Sequence, residues 1–294
     1  MKICRIVALP LLTVLIVTTL AATASASYRK VVVKKSVNSQ IIYRGTNLRF
    51  TKRLSEGRIL LKNIPPSPNF SSACHSLSHE PSKACILAVL AAINNAHKET
   101  GVPVININPD NLAKMNGPEM LLILVNLERI SRGLQPFSGL TKLFDQVARK
   151  AAEQKTDPGL SSGEMSFGHN GYVANWGGNW AENITSPLVA SYDFVYQDGP
   201  GSFNVLCTPQ NESGCYGHME NILGRYPYAR AACGGLKPEL LMGASVLNHH
   251  VSESNQPSMT ELFVGACVRR QITPYIKWTV LEKELSDGNS PLVK

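Results

Sequence analysis

Apolar residues recur at helical spacing in the middle of the chain. The first stripe follows Gly117-Pro118, ends at Gly133 and consists of Met120, Leu121, Leu124, Leu127 and Ile130. A second stripe lies within 140–155, before Asp157-Pro158-Gly159. This spacing puts the apolar side chains on one helix face, so it predicts helices from 117 and over 140–155. The Ala- and Leu-rich segment 85–97 predicts another helix, and 187–197 fits a fourth.

Segments that resemble strands come late in the chain. Residues 240–247 and 261–268 are short apolar runs, and each predicts a strand. Between the helices and these strands, 161–183 is rich in Gly, Ser, Asn and Trp and has no period, which predicts a long loop. Helices that precede strands without βαβ alternation indicate an α+β fold, in which helices cover a mainly antiparallel sheet.

The first 26 residues have the pattern of a secretory signal peptide. Lys2 and Arg5 precede an apolar run, and Ala24-Ser25-Ala26 forms a site for cleavage before Ser27. An uncleaved anchor is the alternative, since about 17 apolar residues lie at the lower limit for a membrane span. We expect a basic arm or linker over 27–70, a helical lead-in with a disulfide over 71–115, a main domain over 116–275 and a C-terminal tail over 276–294.

The net charge of +8 is concentrated near the N-terminus. Residues 28–63 contain ten basic side chains and one acidic side chain, whereas 64–294 is slightly acidic. Because the main domain lacks a basic surface, nucleic acid is not an expected partner. The arm, residues 29–62, is expected to bind an anionic cell-surface polymer or lipid headgroups. A solvated leader without a partner is the alternative.

Six cysteines remain once the signal peptide, with Cys4, is removed. An even number favours disulfides and an oxidising, extracellular location. Six cysteines allow fifteen pairings, and sequence does not choose among them. Local spacing favours Cys74–Cys85 and Cys207–Cys215 as short loops, which leaves Cys233–Cys267 to link two strand-like segments. Free buried thiols are the alternative.

Polar residues in the central loops are the remaining candidates for a functional site. The chain has no H-E-x-x-H motif, no phosphate-binding glycine loop and no EF-hand pattern, which removes several common enzyme classes. The candidate residues cluster in three places: Gly168-His169-Asn170, the stretch 179–183, and the stretch 215–224 that contains His218.

Three stretches of this chain resemble the CAP superfamily, the fold of cysteine-rich secretory proteins, venom allergens and plant pathogenesis-related proteins, and most closely its secreted bacterial branch. They are VNLERISRGLQPF (125–137), WAENI (180–184) and GHMENILG (217–224). Their order and intervals agree with that family over roughly 117–275. The resemblance implies a three-layer α-β-α sandwich around a central, mainly antiparallel sheet.

The resemblance also implies two histidines and two acidic residues in a cleft above the sheet, able to hold a divalent cation such as zinc. By position, His169 and His218 are the histidines and Glu182 is the first acid. The fourth position falls on Gln197, with Asp198 beside it. Either Asp198 supplies the missing carboxylate, or the site has three ligands and binds the cation more weakly.

These features lead to three functional hypotheses. The resemblance favours a secreted module that binds a lipid, a sterol or a cell-surface partner. The alternative is a metal-assisted hydrolase, in which His169, Glu182 and His218 hold a cation that activates water, with Asp198 or Glu182 as base. A purely structural envelope protein is the third hypothesis.

Overall fold

The computed structural model describes the backbone at 41–42 and 49–50, and residues 62–75, 81–208, 210, 214–224, 226, 233–248, 257–286 and 291–294. The predicted signal peptide (1–26) and most of the basic arm (27–70) lie outside these residues. At their start, two short strands, β1 (Ile41–Ile42) and β2 (Arg49–Phe50), pair antiparallel.

Helices occupy much of the described part of the chain. They are α1 (Lys83–Thr100), α2 (Pro109–Leu112), α3 (Gly117–Ser131), α4 (Lys142–Gln154), α5 (Pro187–Tyr196), α6 (Gly217–Leu223) and α7 (Trp278–Leu285). Helices α1, α3, α4 and α5 confirm the four predictions from apolar spacing, with ends that differ by at most about three residues. None of the described helices has the length and apolar character needed to cross a bilayer.

Helix α3 begins where its sequence provides the hydrogen bonds that a helix start requires. The Asn116 side-chain oxygen accepts a hydrogen bond from the Glu119 amide at 3.0 Å, and the Glu119 carboxylate accepts one from the Asn116 amide at 2.9 Å. This reciprocal capping box satisfies two amides that the helix leaves unpaired. Pro118 stands in the first turn, where its missing N–H costs nothing.

A five-stranded mixed sheet forms the centre of the fold. Its strands are β3 (Gly139–Leu140), β4 (Gly171–Glu182), β5 (Lys237–Asn248), β6 (Pro257–Val268) and β7 (Ile276–Lys277), in the order β4-β6-β5-β3-β7. Only the β3–β5 pair is parallel among these strands. The α+β class and the two predicted strands, which are β5 and β6, are confirmed.

Strand β4 corrects the predicted loop over 161–183. Twelve residues of that segment, Gly171–Glu182, form an edge strand that pairs antiparallel with β6. Glycine and asparagine have low strand propensity, so the sequence shows no strand pattern. The hydrogen bonds to β6 and the packing on it determine the conformation instead, and a register shift between Val173 and Asn175 further disturbs the alternation.

Successive residues of β5 and β6 contribute to two different apolar clusters. Leu241 and Val264, which pair across the strands, belong to the cluster that includes residues of α4. The next pair, Met242 and Phe263, belongs to the cluster that includes residues of α1, α3 and α5. Because neighbouring strand residues point to opposite sides, the two clusters lie on opposite faces of the sheet.

The segments on either side of the predicted main domain pack into the same core as that domain. Ile64 and Phe70 from the end of the linker, Ile86 from the lead-in, and Leu292 and Val293 from the tail are buried in the cluster that contains α3. The boundaries predicted near 70, 116 and 275 therefore do not separate independent hydrophobic cores in the described residues.

The three predicted disulfides are confirmed: Cys74–Cys85, Cys207–Cys215 and Cys233–Cys267. The first attaches the residues before α1 to that helix. The second closes a loop between α5 and α6. The third attaches the residues before β5 to the end of β6. The presence of three disulfides agrees with an extracellular protein.

A buried ionic cluster connects α1, α3 and α5. The Glu128 carboxylate accepts a hydrogen bond from the Tyr196 hydroxyl at 2.9 Å, lies 3.1 Å from His97 Nε2, and pairs with Arg132. Burial raises the pKa of Glu128, but the attraction of Arg132 and His97 outweighs it and lowers the pKa to about 2. The cluster therefore keeps its charge in the core and fixes the three helices relative to each other.

Candidate functional site

His218 and Asp198 form a hydrogen-bonded pair between α5 and α6. Asp198 follows the last residue of α5 by two positions, and His218 lies in the first turn of α6. His218 Nδ1 is 2.7 Å from Asp198 Oδ1. Because a carboxylate only accepts hydrogen bonds, Nδ1 carries a proton, and in the neutral ring Nε2 is then an acceptor. No described residue forms a hydrogen bond with Nε2.

The Asp198 carboxylate is 2 % exposed and receives two further hydrogen bonds. The Met219 amide donates to Oδ2 at 3.0 Å, and the Asn204 side-chain amide donates to Oδ1 at 2.6 Å. Three donors therefore hold a buried negative charge, as burial of a carboxylate requires. Asp198 fixes the start of α6, the loop before Cys207 and the orientation of the His218 ring together.

Phe194 limits access to the imidazole from one side. Its ring stacks on the His218 ring with centroids 5.0 Å apart and an interplanar angle of 29°. The His218 side chain is 14 % exposed. With one ring face covered and Nδ1 occupied, Nε2 is the polar atom of His218 that remains available to a ligand.

Asp157 is a second acidic residue close to His218, and sequence reasoning missed it. Its carboxylate accepts a hydrogen bond from the Trp180 amide of β4. The pKa of Asp157 is raised, mainly because burial disfavours its charged form. The nearby His218 lowers this pKa, and the negative charge of Asp198 contributes a further increase. Asp157 stands in an Asp-Pro-Gly stretch that ends a helix, so its pattern indicated only a turn.

Asparagines connect β4 and β6 to α6 beside the His218–Asp198 pair. The Asn179 amide donates to the His218 carbonyl at 3.2 Å and to Glu261 Oε2 at 3.1 Å. The Asn221 amide donates to the Asn179 side-chain oxygen at 3.0 Å and to the Gly178 carbonyl at 2.9 Å. The stretch 215–224, interpreted from sequence as a loop, thus contains a helix whose side chains bond to the sheet.

Glu261 lies fully buried beneath this network. It is 0 % exposed, and its Oε1 has no hydrogen-bond partner among the described residues. Burial raises the pKa of Glu261 to about 8, and the Asn179 hydrogen bond offsets only part of that effect. At neutral pH the group is therefore mainly a neutral carboxylic acid.

The structure does not bring His169 to His218. His169 is exposed in a single 3₁₀ turn, Gly168–Asn170, before β4. Asn179, which contacts His218, lies eight residues along that strand, and a strand rises about 3.3 Å per residue, or roughly 26 Å over that distance. The predicted pairing of the two histidines in one cation site is therefore wrong.

Glu182 also lies apart from His218. It follows Asn179 by three positions in β4, so its side chain points to the opposite face of the sheet. There it forms an ion pair with Lys155, the C-terminal cap of α4. Its predicted role as the first acid beside His218 is not supported, because the alternation of β4 directs it away.

Of the two candidates for the fourth position, Asp198 contacts His218. The Gln197 side-chain amide instead donates to the Ile64 and Tyr196 carbonyls at 2.6 and 3.0 Å. Within the described ranges, no three His, Cys, Asp or Glu side chains are grouped so that they could hold a metal ion. The predicted zinc ligands thus do not converge, and a His–Asp pair stands where a tetrad was expected.

Hydrogen bonds hold the stretch 125–137 together and attach it to the stretch 217–224. Asn126 and Phe137 exchange two hydrogen bonds, from side-chain amide to carbonyl at 2.9 Å and from backbone amide to side-chain oxygen at 2.8 Å. Arg129 Nη1 donates to the Ile222 and Gly224 carbonyls at 2.6 and 3.1 Å. Helix α3 therefore holds the end of α6 in place behind the His218 site.

Comparison with known proteins found no matching family model, no matching curated protein and no matching solved structure. The functional interpretation accordingly depends on the geometry of the His218 site, by which we mean His218, Asp198, Asp157 and Phe194.

Proposed function

We propose that the protein is a secreted, CAP-like module that binds a lipid, a sterol or a cell-surface ligand at the His218 site. The observation that carries the proposal is the His218 ring itself. Asp198 fixes its tautomer, Phe194 covers one face, and Nε2 has no partner in the described part of the chain. A hydrogen-bond acceptor beside an apolar ring suits a hydroxyl group on an otherwise apolar ligand.

Hydrogen bonds between the resembling stretches support the CAP-like assignment. Asn126 of the Asn-x-x-Arg bonds to Phe137 within the first stretch, and Arg129 bonds to Ile222 of the stretch 217–224. The two apolar clusters on opposite faces of β5 and β6 support the three-layer α-β-α arrangement. Secretion is supported by the three disulfides and by the N-terminal Ala24-Ser25-Ala26 pattern.

The metal-assisted hydrolase gains no such support. That hypothesis needs His169, Glu182 and His218 around one cation, and they lie at different places along and across β4.

The basic arm remains part of the proposal. Its ten basic residues over 28–63 would bring the module to an anionic polymer or to lipid headgroups.

Histidine-selective NMR tests the proposal with a ligand too small to form a bilayer. Dihexanoyl phosphatidylglycerol, used as monomer, offers headgroup hydroxyls as donors and a short apolar chain. The His218 Nε2 resonance should move on titration, and cholesterol solubilised in cyclodextrin serves as a second probe. His169, exposed and remote, provides the internal control. If neither probe moves the His218 resonance, the proposed site is wrong.

A further inference from the structure

The loop between α5 and Cys207 presents apolar side chains to solvent. Phe203 is 82 % exposed, Val205 78 % and Leu206 48 %. We call residues 200–206 the apolar tip. Two of its three apolar side chains are the most exposed large hydrophobic residues in the described part of the chain. Exposed apolar groups that are close together often indicate a binding surface.

Hydrogen bonds and a disulfide hold the apolar tip in this exposed arrangement. The Cys207–Cys215 disulfide closes the loop directly after it. Within it, the Asn204 side-chain amide donates to Asp198 Oδ1 at 2.6 Å and to the Gly214 carbonyl at 2.9 Å. Asn204 is thus held inward, while its two neighbours, Phe203 and Val205, are exposed to solvent.

The apolar tip lies beside the end of the basic arm. The Asn63 side chain accepts a hydrogen bond from the Gly199 amide at 2.7 Å and donates one to the Pro200 carbonyl at 2.8 Å. Asn63 ends the segment 28–63, which carries ten basic residues and one acidic residue, whereas residues 199–206 carry no charge. The last residue of the cationic segment, Asn63, is therefore hydrogen-bonded directly before the uncharged apolar tip.

We propose that the apolar tip inserts into an anionic lipid bilayer while the adjacent basic segment binds the headgroups. Apolar insertion and electrostatic attraction are the two contributions that together give stable attachment to a membrane surface, because either one alone is weak. The inference rests on the proposed function for the role of the basic arm. Beyond that function, the inference names an anionic bilayer as the partner and identifies the residues that enter it.

Attachment of the apolar tip would also position the His218 site. Asp198 accepts hydrogen bonds from both Asn204 in the tip and His218 in α6. A bilayer that surrounds Phe203 and Val205 would therefore lie next to the site that we propose for a lipid ligand.

Vesicle sedimentation tests the inference with the mature protein from Ser27. Vesicles of phosphatidylcholine with phosphatidylglycerol should bind it, and Phe203→Ser with Val205→Ser should lower the partition coefficient about tenfold or more. The matched control is Leu87→Ser with Val280→Ser, which removes exposed apolar side chains from α1 and α7. The control should bind as the wild type does. Equal binding by the tip variant, or an equal loss in the control, would overturn the inference.

Tryptophan quenching provides a test that does not depend on removing apolar residues. Phe203→Trp should be quenched by brominated phosphatidylcholine in the same anionic vesicles, whereas Leu87→Trp should not. Absence of quenching at Phe203→Trp overturns insertion. The short-chain phosphatidylglycerol titration of His218 is independent of a bilayer, so failure of the ligand site and failure of the apolar tip are distinguishable.

Discussion

Asp198 and His218 lie twenty residues apart in the chain and are joined by a hydrogen bond of 2.7 Å. The same carboxylate holds the first turn of α6 through Met219 and the apolar tip through Asn204. A single buried acid thus determines where the imidazole points and how the neighbouring loop is held. Substitutions around this pair should separate its structural role from its role in binding.

Asp198→Asn should destabilise the protein and release the His218 ring. The asparagine keeps the size of the side chain but loses the charge that accepts from three donors, and hydrogen bonds to charged groups contribute about 1.5–3 kcal/mol each. We expect the free energy of unfolding in urea to fall by about 2–4 kcal/mol. Asp110→Asn, at an exposed ion pair with Lys83, is the control and should cost less than about 1 kcal/mol.

Gly177→Ala should disturb the contact between α6 and β4. A Cβ at Gly177 would lie 2.4 Å from Asn221 Oδ1, closer than atoms can approach without movement. Such overpacking costs about 1–3 kcal/mol, and the His218 resonances should shift as α6 moves. Gly163→Ala, where the nearest atom is 4.0 Å away, should change stability by no more than about 0.5 kcal/mol. Equal effects of the two variants would contradict the observed packing.

Two of the disulfides should differ in their contribution to stability. Cys233–Cys267 closes a separation of 34 residues and Cys207–Cys215 one of 8. On the loop-entropy model, replacing both cysteines with alanine should cost about 4 kcal/mol for the first pair and about 2.5 kcal/mol for the second. Guanidinium unfolding under non-reducing conditions measures both values. The reverse order would show that chain entropy does not control this difference.

Glu261 should make the folded state less stable as pH rises. The pKa of its carboxyl group is raised by burial to about 8 in the folded protein, from an ordinary value of 4.5. Between these values the folded state keeps a proton that the unfolded state has released, so its stabilising effect is complete below pH 4.5 and is lost toward pH 8.

Glu261→Gln removes this titration. Relative to the wild type, the variant should gain stability on the order of 4 kcal/mol between pH 4.5 and pH 8, as measured by urea unfolding at each pH. Glu153→Gln, at an exposed position on α4, provides the control for a general effect of charge. If the stabilities of the wild type and Glu261→Gln change in parallel with pH, Glu261 does not hold a proton in the core.

Local patterns were sufficient to predict the long helices, and local spacing favoured the cysteine pairs that form. The apolar stripe of α3 follows from positions three and four residues apart, which a sequence displays directly. Strand β4 could not be predicted in this way, because glycines and asparagines acquire an extended conformation only through β6. Helix α6 was missed because it is short and because the residue before it, Tyr216, has a left-handed backbone conformation and provides no side-chain cap.

The candidate site was predicted only in part, for the same reason. His218 and Asp198 were both identified, although they meet through tertiary packing of α5 against α6. The resemblance placed His169 and Glu182 beside them, because it gives only the order of the residues in the chain. It does not reveal that His169 precedes a twelve-residue strand and that Glu182 ends it. Asp157 approaches from the end of α4 through a contact with the Trp180 amide that no motif encodes.

The most direct test of the central claim is nitrogen-15 NMR of histidine-labelled protein during titration with dihexanoyl phosphatidylglycerol. We predict that His218 carries its proton on Nδ1, that its Nε2 resonance moves on titration, and that His169 does not respond. Movement at His169 alone, or a proton on Nε2 of His218 with no response to the lipid, would contradict the claim that His218, oriented by Asp198, is the binding site.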